Sequence, residues 1–395
     1  MLLDYTAEQL QLSHQLRAYF AELMTPRLRD AVGEGGGDRD AYRELVRRLG
    51  RDGWLGIGWP AEYGGQGRPL VDQYIFFDEV QRAGVPFPFV TINTIGPTIQ
   101  RFGTDEQKRA YLPGILSGEI VFAIGYSEPG AGTDLASLAT RAEPDGDEWV
   151  VNGSKVFTSG ADHCDYVWLA CRTDPAASPH RGISILIVPA SSPGFSWTPI
   201  TTPGLVRTAA TYYSDVRVPR GNIVGEPGDG WKLITAQLRH ERVGIAAFGG
   251  RTEQLWDDLA DWSRTATAPD GTRVADQPWA RQALARSYAQ LAAMRLLNWK
   301  LAVLTEGADP APAAAAVAKV FGTETHDAVC RALLGVAGPL ATRRPGSPGA
   351  PLDGRLEALA RGSFINTFGG GSNEVLRDMI ATAGLGMPYK KRRTA

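Results

Sequence analysis

The stretch DGDEWVVNGSKVFTSGADHCDYVWLACR, residues 145–172, decides the fold class of this chain. It holds short runs rich in Val, Trp and Tyr between turn-forming residues, which is the pattern of β-strands. Asn152-Gly153 stands between WVV and SKVF and is a strong signal for a two-residue hairpin turn. We therefore predict antiparallel strands here, and no alternation of strands with helices supports a βαβ unit.

Strand-like runs continue on both sides of this stretch, and helical periodicity lies beyond them. EIVFAIGYS, GISILIVPA and TYYSDVRV are further runs rich in β-branched and aromatic residues. Long patterns with apolar residues at helical spacing cover 228–248, 276–306, 310–337 and 354–383.

These patterns predict an α+β multidomain chain. Its parts are an N-terminal helical domain (1–118), a central antiparallel β-domain (119–225) and a C-terminal four-helix bundle (226–395).

Composition excludes several classes of protein. With 395 residues, 43% hydrophobic and 21% charged, the chain has the composition of a soluble globular protein with more than one core. A net charge of -2 gives no general attraction to nucleic acid. No segment is apolar over the length of a membrane span, and the N-terminus lacks the pattern of a signal peptide, so we expect a cytoplasmic protein. The histidines and cysteines show no metal-binding or disulfide spacing.

Two loops of the predicted β-domain are candidates for ligand binding. In FAIGYSEPGAGTDLAS (122–137), Ser127 and Thr133 accompany glycines that would let a flat or phosphorylated ligand approach the backbone. In KVFTSG (155–160), two adjacent hydroxyls follow an aromatic residue. A tight strand connection and a half-exposed strand explain the same residues, and local sequence leaves both interpretations open.

Glu241 is a carboxylate in an otherwise apolar helical stripe. The stripe consists of Trp231, Ile234, Leu238, Ile245 and Phe248. A carboxylate on that face is costly unless it is paired or functional, and desolvation would raise its pKa toward the range of a general base. A structural ion pair with Arg239 or Arg242 is the alternative.

The segment FINTFGGGSNEVL, residues 364–376, interrupts a helical pattern with three glycines. Glycine in a helix costs backbone entropy, so the interruption indicates a special requirement at this point. As a nucleotide-binding signal the triplet is weak, because it follows a helix rather than a strand.

Taken together, these segments resemble the acyl-CoA dehydrogenases. The resemblance rests on SEPGAGTDLAS, on the predicted hairpin and on DVRVP, while GWLGIGWPAEYGGQG and FGTDEQKRAYLPGILSGE match the family's N-terminal helical domain. It covers nearly the whole chain. The resemblance implies an acyl-CoA dehydrogenase-like fold that binds FAD and desaturates an acyl-CoA thioester. A carboxylate removes the α-proton, the β-hydrogen leaves as hydride to flavin N5, and an electron-transferring flavoprotein takes the electrons.

The resemblance also assigns residues to the site. Ile124 to Thr133 match the first flavin-binding segment, with Ser127 near the ring and Thr133 shared with the CoA chain. Phe157, Thr158 and Ser159 match the second, with Ser159 near N5.

Residues of the C-terminal domain are assigned in the same way. Ser372 and Glu374 match a Thr-x-Gln pair that touches the flavin. Arg242, Gly370 and Gly371 match positions on the substrate side.

The sequence departs from the family at the catalytic base. Most members carry the base directly before the Gly-Thr of the last motif, where this chain has Gly370. A minority, including enzymes for branched-chain and long-chain substrates, use a glutamate just before an arginine on the bundle helix, and Glu241-Arg242 matches them. The resemblance therefore favours Glu241 as base, with the ion pair as the alternative. The absence of a side chain at position 370 would admit a wide acyl group.

Two segments of the family, which serve the adenine half of FAD across a subunit interface, are poorly matched in this chain. The Arg-x-x-Phe-Gly segment is not recognisable between 262 and 295, and Gln-x-x-Gly-Gly-x-Gly survives only as LLGVAG (333–338). The chain most resembles bacterial enzymes that shorten sterol side chains, in which two different subunits form an α2β2 assembly with the flavin at the heteromeric interface. This implies a steroid side-chain CoA thioester as substrate and a second dehydrogenase-like chain as partner. A non-catalytic partner subunit, or an oxidase or desaturase of carrier-protein thioesters in secondary metabolism, are the alternatives.

Overall fold

The structure is a computed structural model that describes residues 5–33, 37–204, 207–245, 249–304 and 311–388, with the side chains of 238–245 and of Leu304 left out. The α-helices of the described residues are α1 (Ala7–Leu23), α2 (Pro26–Val32), α3 (Arg39–Arg51), α4 (Leu70–Ala83), α5 (Gly96–Phe102), α6 (Asp105–Leu116), α7 (Gly230–Ile245), α8 (Gly249–Ser263), α9 (Pro278–Leu304), α10 (Pro312–Ala337), α11 (Arg355–Gly362) and α12 (Asn373–Met379). The strands are β1 (Phe122–Gly125), β2 (Arg141–Asp145), β3 (Glu148–Lys155), β4 (Tyr166–Arg172), β5 (Ile183–Pro189), β6 (Phe195–Thr201), β7 (Arg207–Pro219) and β8 (Ile223–Val224).

The strands form one sheet in the order β6-β7-β3-β2-β4-β5-β8, and β1 pairs with β4. Every second residue of the central strands packs into one apolar core, since side chains alternate between the faces of a strand. Members of this core include Trp149, Val151, Val167, Leu169, Leu186, Val188, Val216 and Val218.

The predicted turn at Asn152-Gly153 is wrong. Both residues lie inside β3, and the turn between β2 and β3 is formed by Gly146 and Asp147, two residues of the DGDE segment that precedes the strand. Asn152 instead faces a bulge of β7, donating from Nδ2 to Asp215 Oδ1 at 2.9 Å and accepting from Asp215 N at 3.0 Å. The side-chain amide of Asn152 therefore stabilises the irregular pairing of β3 with β7 instead of a turn.

The sheet also departs from the predicted antiparallel arrangement. β1 pairs with β4 in parallel, and β2 touches β4 through a parallel bridge between Arg141 and Arg172. In addition, β6 was not predicted. Its residues FSWTPIT are mostly exposed and include Pro199, so they lack the apolar alternation that marks a half-buried strand.

The chain divides into two compact units that are not contiguous in sequence. The helical unit comprises Met1–Met24, Pro69–Val85 and Arg242–Ala395, and the sheet unit comprises Thr25–Arg68 and Pro86–Glu241. In the helical unit, α1 packs against α4, and α4 packs against α8 and α9 of the C-terminal region. None of the helices described has both the length and the apolar surface needed to cross a bilayer.

Candidate active site

The two predicted ligand loops lie side by side in the sheet unit. Val156 N donates to Ser127 O at 2.8 Å, which joins the segment after β3 to the segment after β1. Ile124 pairs with Trp168 of β4, so the first loop leaves the sheet at a fixed point. The structure therefore brings Ser127 close to Phe157, the residue that follows Val156.

The SEPGAG loop forms a narrow turn with an open outer face. Glu128 N donates to Ala131 O at 2.9 Å, and Ala131 N donates to Glu128 O at 3.1 Å. A Cβ atom added at Gly130 or Gly132 would meet nothing within 4 Å, and Thr133 is exposed. The outer backbone of this turn is therefore exposed.

A buried ion pair anchors both loops from the inside. Lys155 Nζ, fully buried, donates to Glu128 Oε1 at 2.8 Å and to Tyr126 O at 3.0 Å. Glu128 also accepts from the backbone N–H groups of Ala139 and Thr140, at 2.7 and 2.9 Å. Burial raises the pKa of Glu128, but Lys155 and these N–H donors outweigh it and hold that pKa below its ordinary value.

Phe157 adopts a backbone conformation that is costly for a non-glycine residue. Its φ is 63°, and its side chain is 64% exposed. Such strain persists only where neighbouring bonds enforce it, and it concentrates at functional sites. Here Thr158 N donates to Ala209 O at 2.9 Å and Ser159 N to Phe157 O at 3.0 Å, which fixes the bend and presents an aromatic face outward.

The two adjacent hydroxyls predicted at the site have different environments. The Thr158 side chain is fully buried, and its Oγ1 lies 3.2 Å from Thr211 Oγ1. Ser159 is exposed, and its Oγ donates to Thr208 Oγ1 at 3.1 Å, which leaves its oxygen able to accept from a ligand. The inward–outward alternation of β3 does not continue through Phe157. The sequence alone could therefore not show which of the two hydroxyls is buried and which is exposed.

The proposed base lies on α7. Glu241 and Arg242 belong to this helix, and their side chains lie outside the described residues. The described part of α7 buries Leu233, Ile234 and Gln237 on one face. Position 241 follows Gln237 by four residues and Ile234 by seven, so helical spacing places it on the same face.

The glycine triplet is part of the helical unit, where it connects a 3-10 turn to α12. Gly370 has φ 67° and Gly371 has φ 100°, conformations that favour glycine. The buried Lys319 of α10 donates to Gly371 O and to Asn373 Oδ1, both at 2.8 Å. These bonds fix the loop to the long helix behind it.

The two flavin-contact residues predicted after the triplet begin α12. Ser372 is the N-cap, and its Oγ accepts from Val375 N at 3.4 Å. Glu374 is exposed in the first turn, where a carboxylate interacts favourably with the helix dipole.

Cysteine or metal chemistry finds no support in the described residues. No group of His, Cys, Asp and Glu side chains within those ranges could hold a metal ion. Cys164, Cys171 and Cys330 are buried, and burial raises the pKa of each thiol to about 12. All three are protonated and unreactive at neutral pH.

Sequence reasoning missed the residues that hold these loops. Lys155 carried a signal, because it continues the inward alternation of Trp149 and Val151 in β3. Glu128 and Lys319 carried none, since a loop glutamate and a helical lysine are most often solvated.

Comparison with known protein families gives three matches along the chain. "Acyl-CoA dehydrogenase, N-terminal domain" matches residues 6–119, "middle domain" matches 123–216, and "C-terminal domain" matches 228–385. The predicted fold class, with a helical domain on each side of a central β-domain, is confirmed.

Individual relatives match over almost their full length. Acyl-CoA dehydrogenase FadE26 of Mycobacterium tuberculosis is 51% identical, over 99% of this chain and 100% of that protein. A solved structure described as "Tcur3481-Tcur3483 steroid ACAD" is 59% identical with a TM-score of 0.94, covering 99% of this chain and 100% of that one. The ChsE4-ChsE5 complex from Mycobacterium tuberculosis contains a chain that is 51% identical with a TM-score of 0.93, at the same coverage.

Proposed function

The chain belongs to the acyl-CoA dehydrogenase family, and from that premise we propose that it desaturates a bulky, steroid-derived acyl-CoA thioester with Glu241 as the base. The proposed reaction removes one hydrogen from the α-carbon and one from the β-carbon of the acyl group.

The observation that carries the assignment of the base is the backbone at position 370. The position that usually carries the base is occupied by Gly370, which has no carboxylate. Its φ of 67° also disfavours any residue with a Cβ atom. Glu241 follows the buried Gln237 of α7 by four residues, and we propose that its carboxylate shares that face of the helix. A carboxylate on a buried helix face has the desolvation that strengthens a general base.

The residues of the sheet unit fit a flat, polar cofactor. The SEPGAG turn has an accessible backbone, Phe157 presents an exposed ring beside it, and Ser159 offers an exposed hydroxyl. We propose that Ile124 to Thr133 and Phe157 to Ser159 bind FAD. When bound, FAD supplies the acceptor for the β-hydrogen.

The chain's own contribution to the reaction is orientation and proton removal. The thioester acidifies the α-hydrogen, and Glu241 takes that proton. Lys155 and Glu128 hold the two loops in register beneath the ligand. An electron-transferring flavoprotein is the proposed final acceptor.

Three features support the bulky substrate and the partner. A solved relative is described as a steroid ACAD, and position 370 has no side chain to limit the width of an acyl group. The description of that relative names two proteins, and so does the description of the ChsE4-ChsE5 complex. We propose an α2β2 assembly in which this chain supplies the base.

Replacing Glu241 with Gln tests the proposed base. We expect the E241Q protein to keep bound yellow flavin but to lose substrate-driven bleaching, because the amide cannot accept the α-proton. Glu226→Gln is the matched control, since Glu226 is exposed just before α7. Full bleaching by E241Q would overturn the assignment.

The same experiment separates the alternatives. If this chain only completes the FAD site of another subunit, E241Q in the assembled protein will leave activity unchanged. If it is an oxidase, oxygen will be consumed without an added acceptor. If it acts on a carrier-protein thioester, the free CoA thioester will not bleach the flavin.

A further inference from the structure

A group of aromatic and basic side chains lies at the surface where the loop before β5 meets the start of α7. The rings of His180 and Trp231 form a T-shaped pair, with centroids 4.5 Å apart and planes at 75°. His180 is exposed and Trp231 is half-buried. In a T-shaped pair the edge of one ring meets the face of the other, so each ring keeps a face that this contact does not cover. Those faces can stack on a planar ligand.

Positively charged side chains follow both rings in the chain. Arg181, directly after the histidine, is exposed and forms no ion pair with any other residue that the structure describes. Lys232, directly after the tryptophan, has its Nζ 5.5 Å from the centroid of the Phe102 ring. The Arg101 guanidinium carbon lies 5.2 Å from the same centroid. We call these six side chains the basic aromatic patch: Arg101, Phe102, His180, Arg181, Trp231 and Lys232.

Backbone contacts fix the two main segments of the patch against each other. Gly228 N donates to Ser184 Oγ at 2.9 Å. A Cβ atom at Gly230 would lie 2.6 Å from Ile183 O, so the first turn of α7 packs directly on the first residues of β5. The patch is therefore built on the ends of a strand and a helix, which hold side chains more precisely than a loop does.

Arg172 of β4 places the patch beside the first candidate ligand loop, residues 122–137. Its Nη2 donates to Ala136 O at 2.7 Å, and its Nη1 donates to Pro179 O at 3.3 Å. Ala136 belongs to that loop, and Pro179 directly precedes the histidine of the patch. Both segments are part of the sheet unit. A long ligand that binds along the loop can therefore extend to the patch.

An adenine nucleotide carries the two kinds of group that such a patch recognises. Aromatic faces stack on planar bases, and arginine and lysine bind phosphate oxygens. We propose that the basic aromatic patch binds the adenine nucleotide end of CoA, with the base against the His180–Trp231 pair and the phosphates towards Arg181 and Lys232.

This inference rests on the proposed function, because it takes the substrate to be a thioester of CoA. It also distinguishes free CoA from a carrier protein. The phosphopantetheine arm of a carrier protein has no adenine nucleotide, so a carrier-protein thioester would leave the patch empty. FAD shares the chemistry, since it also contains an adenine nucleotide, and the test therefore has to separate CoA from FAD.

A carboxylate competes with phosphate for one cation of the patch. Asp229 Oδ2 lies 3.3 Å from Lys232 Nζ, and the lysine side chain is 62% exposed. Exposed ion pairs of this kind are weak, so the lysine can exchange the carboxylate for a phosphate group.

The test compares the steroid-derived CoA thioester with the matching pantetheine thioester, which lacks the nucleotide. In the holoenzyme, Trp231→Leu should raise KM for the CoA thioester about tenfold, the typical effect of losing one stacked base. Lys232→Gln should raise it about threefold, and by less at high salt. The kcat values for both thioesters and KM for the pantetheine thioester should not change.

A binding measurement makes the result independent of turnover. Calorimetry should show that CoA binds the holoenzyme more tightly than pantetheine does, and that Trp231→Leu removes most of this difference. Trp279→Leu and Lys300→Gln are matched controls, because both residues are exposed on α9. They should leave both affinities unchanged. His180→Ala carries the test if Trp231→Leu fails to fold.

An unchanged KM for the CoA thioester in the patch variants would overturn the inference, and so would an equal rise in KM for both thioesters. An unchanged KM together with less bound flavin would assign the patch to FAD instead. An unchanged KM with slower reduction of an electron-transferring flavoprotein would assign it to protein docking. Turnover of neither thioester by the unaltered holoenzyme would overturn the proposed function, whereas the affinities for CoA and pantetheine would still decide the role of the patch.

Discussion

At the scale of single residues, the backbone gives Gly370 a reason to be glycine. Its φ of 67° is costly for any residue with a Cβ atom. Lys319 fixes this conformation by binding the carbonyl of Gly371 at 2.8 Å. The sequence comparison reveals only the missing carboxylate, whereas the backbone shows that the loop itself is built around glycine.

Two substitutions at position 370 separate backbone strain from crowding. Gly370→Ala and Gly370→Glu should each lower the free energy of unfolding by about 1–2 kcal/mol, because both force a side chain into the left-handed region. Only the glutamate should also reduce kcat/KM for a steroid-derived CoA thioester more than for a short linear one. Urea unfolding and kinetics with both substrates measure the two effects. An equal substrate preference in the Glu variant would remove position 370 as a determinant of substrate width.

At the scale of secondary-structure elements, β3 shows how tertiary contacts override a local turn signal. Asn-Gly favours a two-residue turn in isolation. In this sheet Asn152 bonds both ways with Asp215, and the turn moves to Gly146 at the start of the strand. Gly153 is required there for another reason, because a Cβ atom would lie 2.6 Å from Thr140 Oγ1 and 2.7 Å from Thr140 Cα.

Gly153→Ala tests this packing constraint. We expect a loss of about 1–3 kcal/mol in the free energy of unfolding, because the neighbouring backbone of Thr140 must move. Gly221→Ala is the matched control, since a Cβ atom at that position meets nothing within 4 Å. Urea denaturation of both variants gives the comparison, and equal midpoints would contradict the close approach of β2 and β3.

The contact between α8 and α10 gives the protein a predictable acid sensitivity. His326 of α10 is buried, and its Nδ1 forms a short hydrogen bond with the Thr252 hydroxyl of α8. Burial, and secondly the positive charge of Arg251, lower the pKa of His326 to about 4, against 6.5 ordinarily. Between these two pH values the unfolded chain binds a proton that the folded chain does not.

Folding stability should therefore fall as the pH drops from 6.5 to 4, by up to about 3 kcal/mol from this residue alone. His326→Asn keeps a polar partner for Thr252 and removes the titration, so its stability should change less over the same range. Thermal unfolding at pH 7, 5.5 and 4.5 measures the difference. Parallel pH profiles for the two proteins would rule out His326 as the source.

At the scale of the whole molecule, the chain forms two compact units, and each is assembled from separate stretches of the sequence. The predicted domain bounds at 118 and 225 stay predictions, as do the site assignments. The poorly matched segments at 262–295 and 333–338 concern the adenine half of FAD, which the proposed assembly would complete from a second chain.

Co-expression with a second dehydrogenase-like chain tests the assembly. We expect this chain alone to retain much less than one FAD per protomer, and the mixed assembly to retain flavin and gain activity. Flavin absorbance per protein and the mass from light scattering measure both quantities. A homotetramer with full flavin content would contradict the heteromeric proposal.

The sequence by itself determined the order of a helical region, a β-region and a second helical region, and it determined the family; the two candidate ligand loops were also located from sequence, and their role stays a prediction. Local periodicity, turn residues and motifs of contiguous residues indicate these features. Only the tertiary structure decided that Thr158 points into the protein while Ser159 is exposed, and that Asn152 bonds to Asp215 at a bulge. Each of these depends on which distant residue supplies a hydrogen-bond partner or excludes water, and no local pattern specifies that partner.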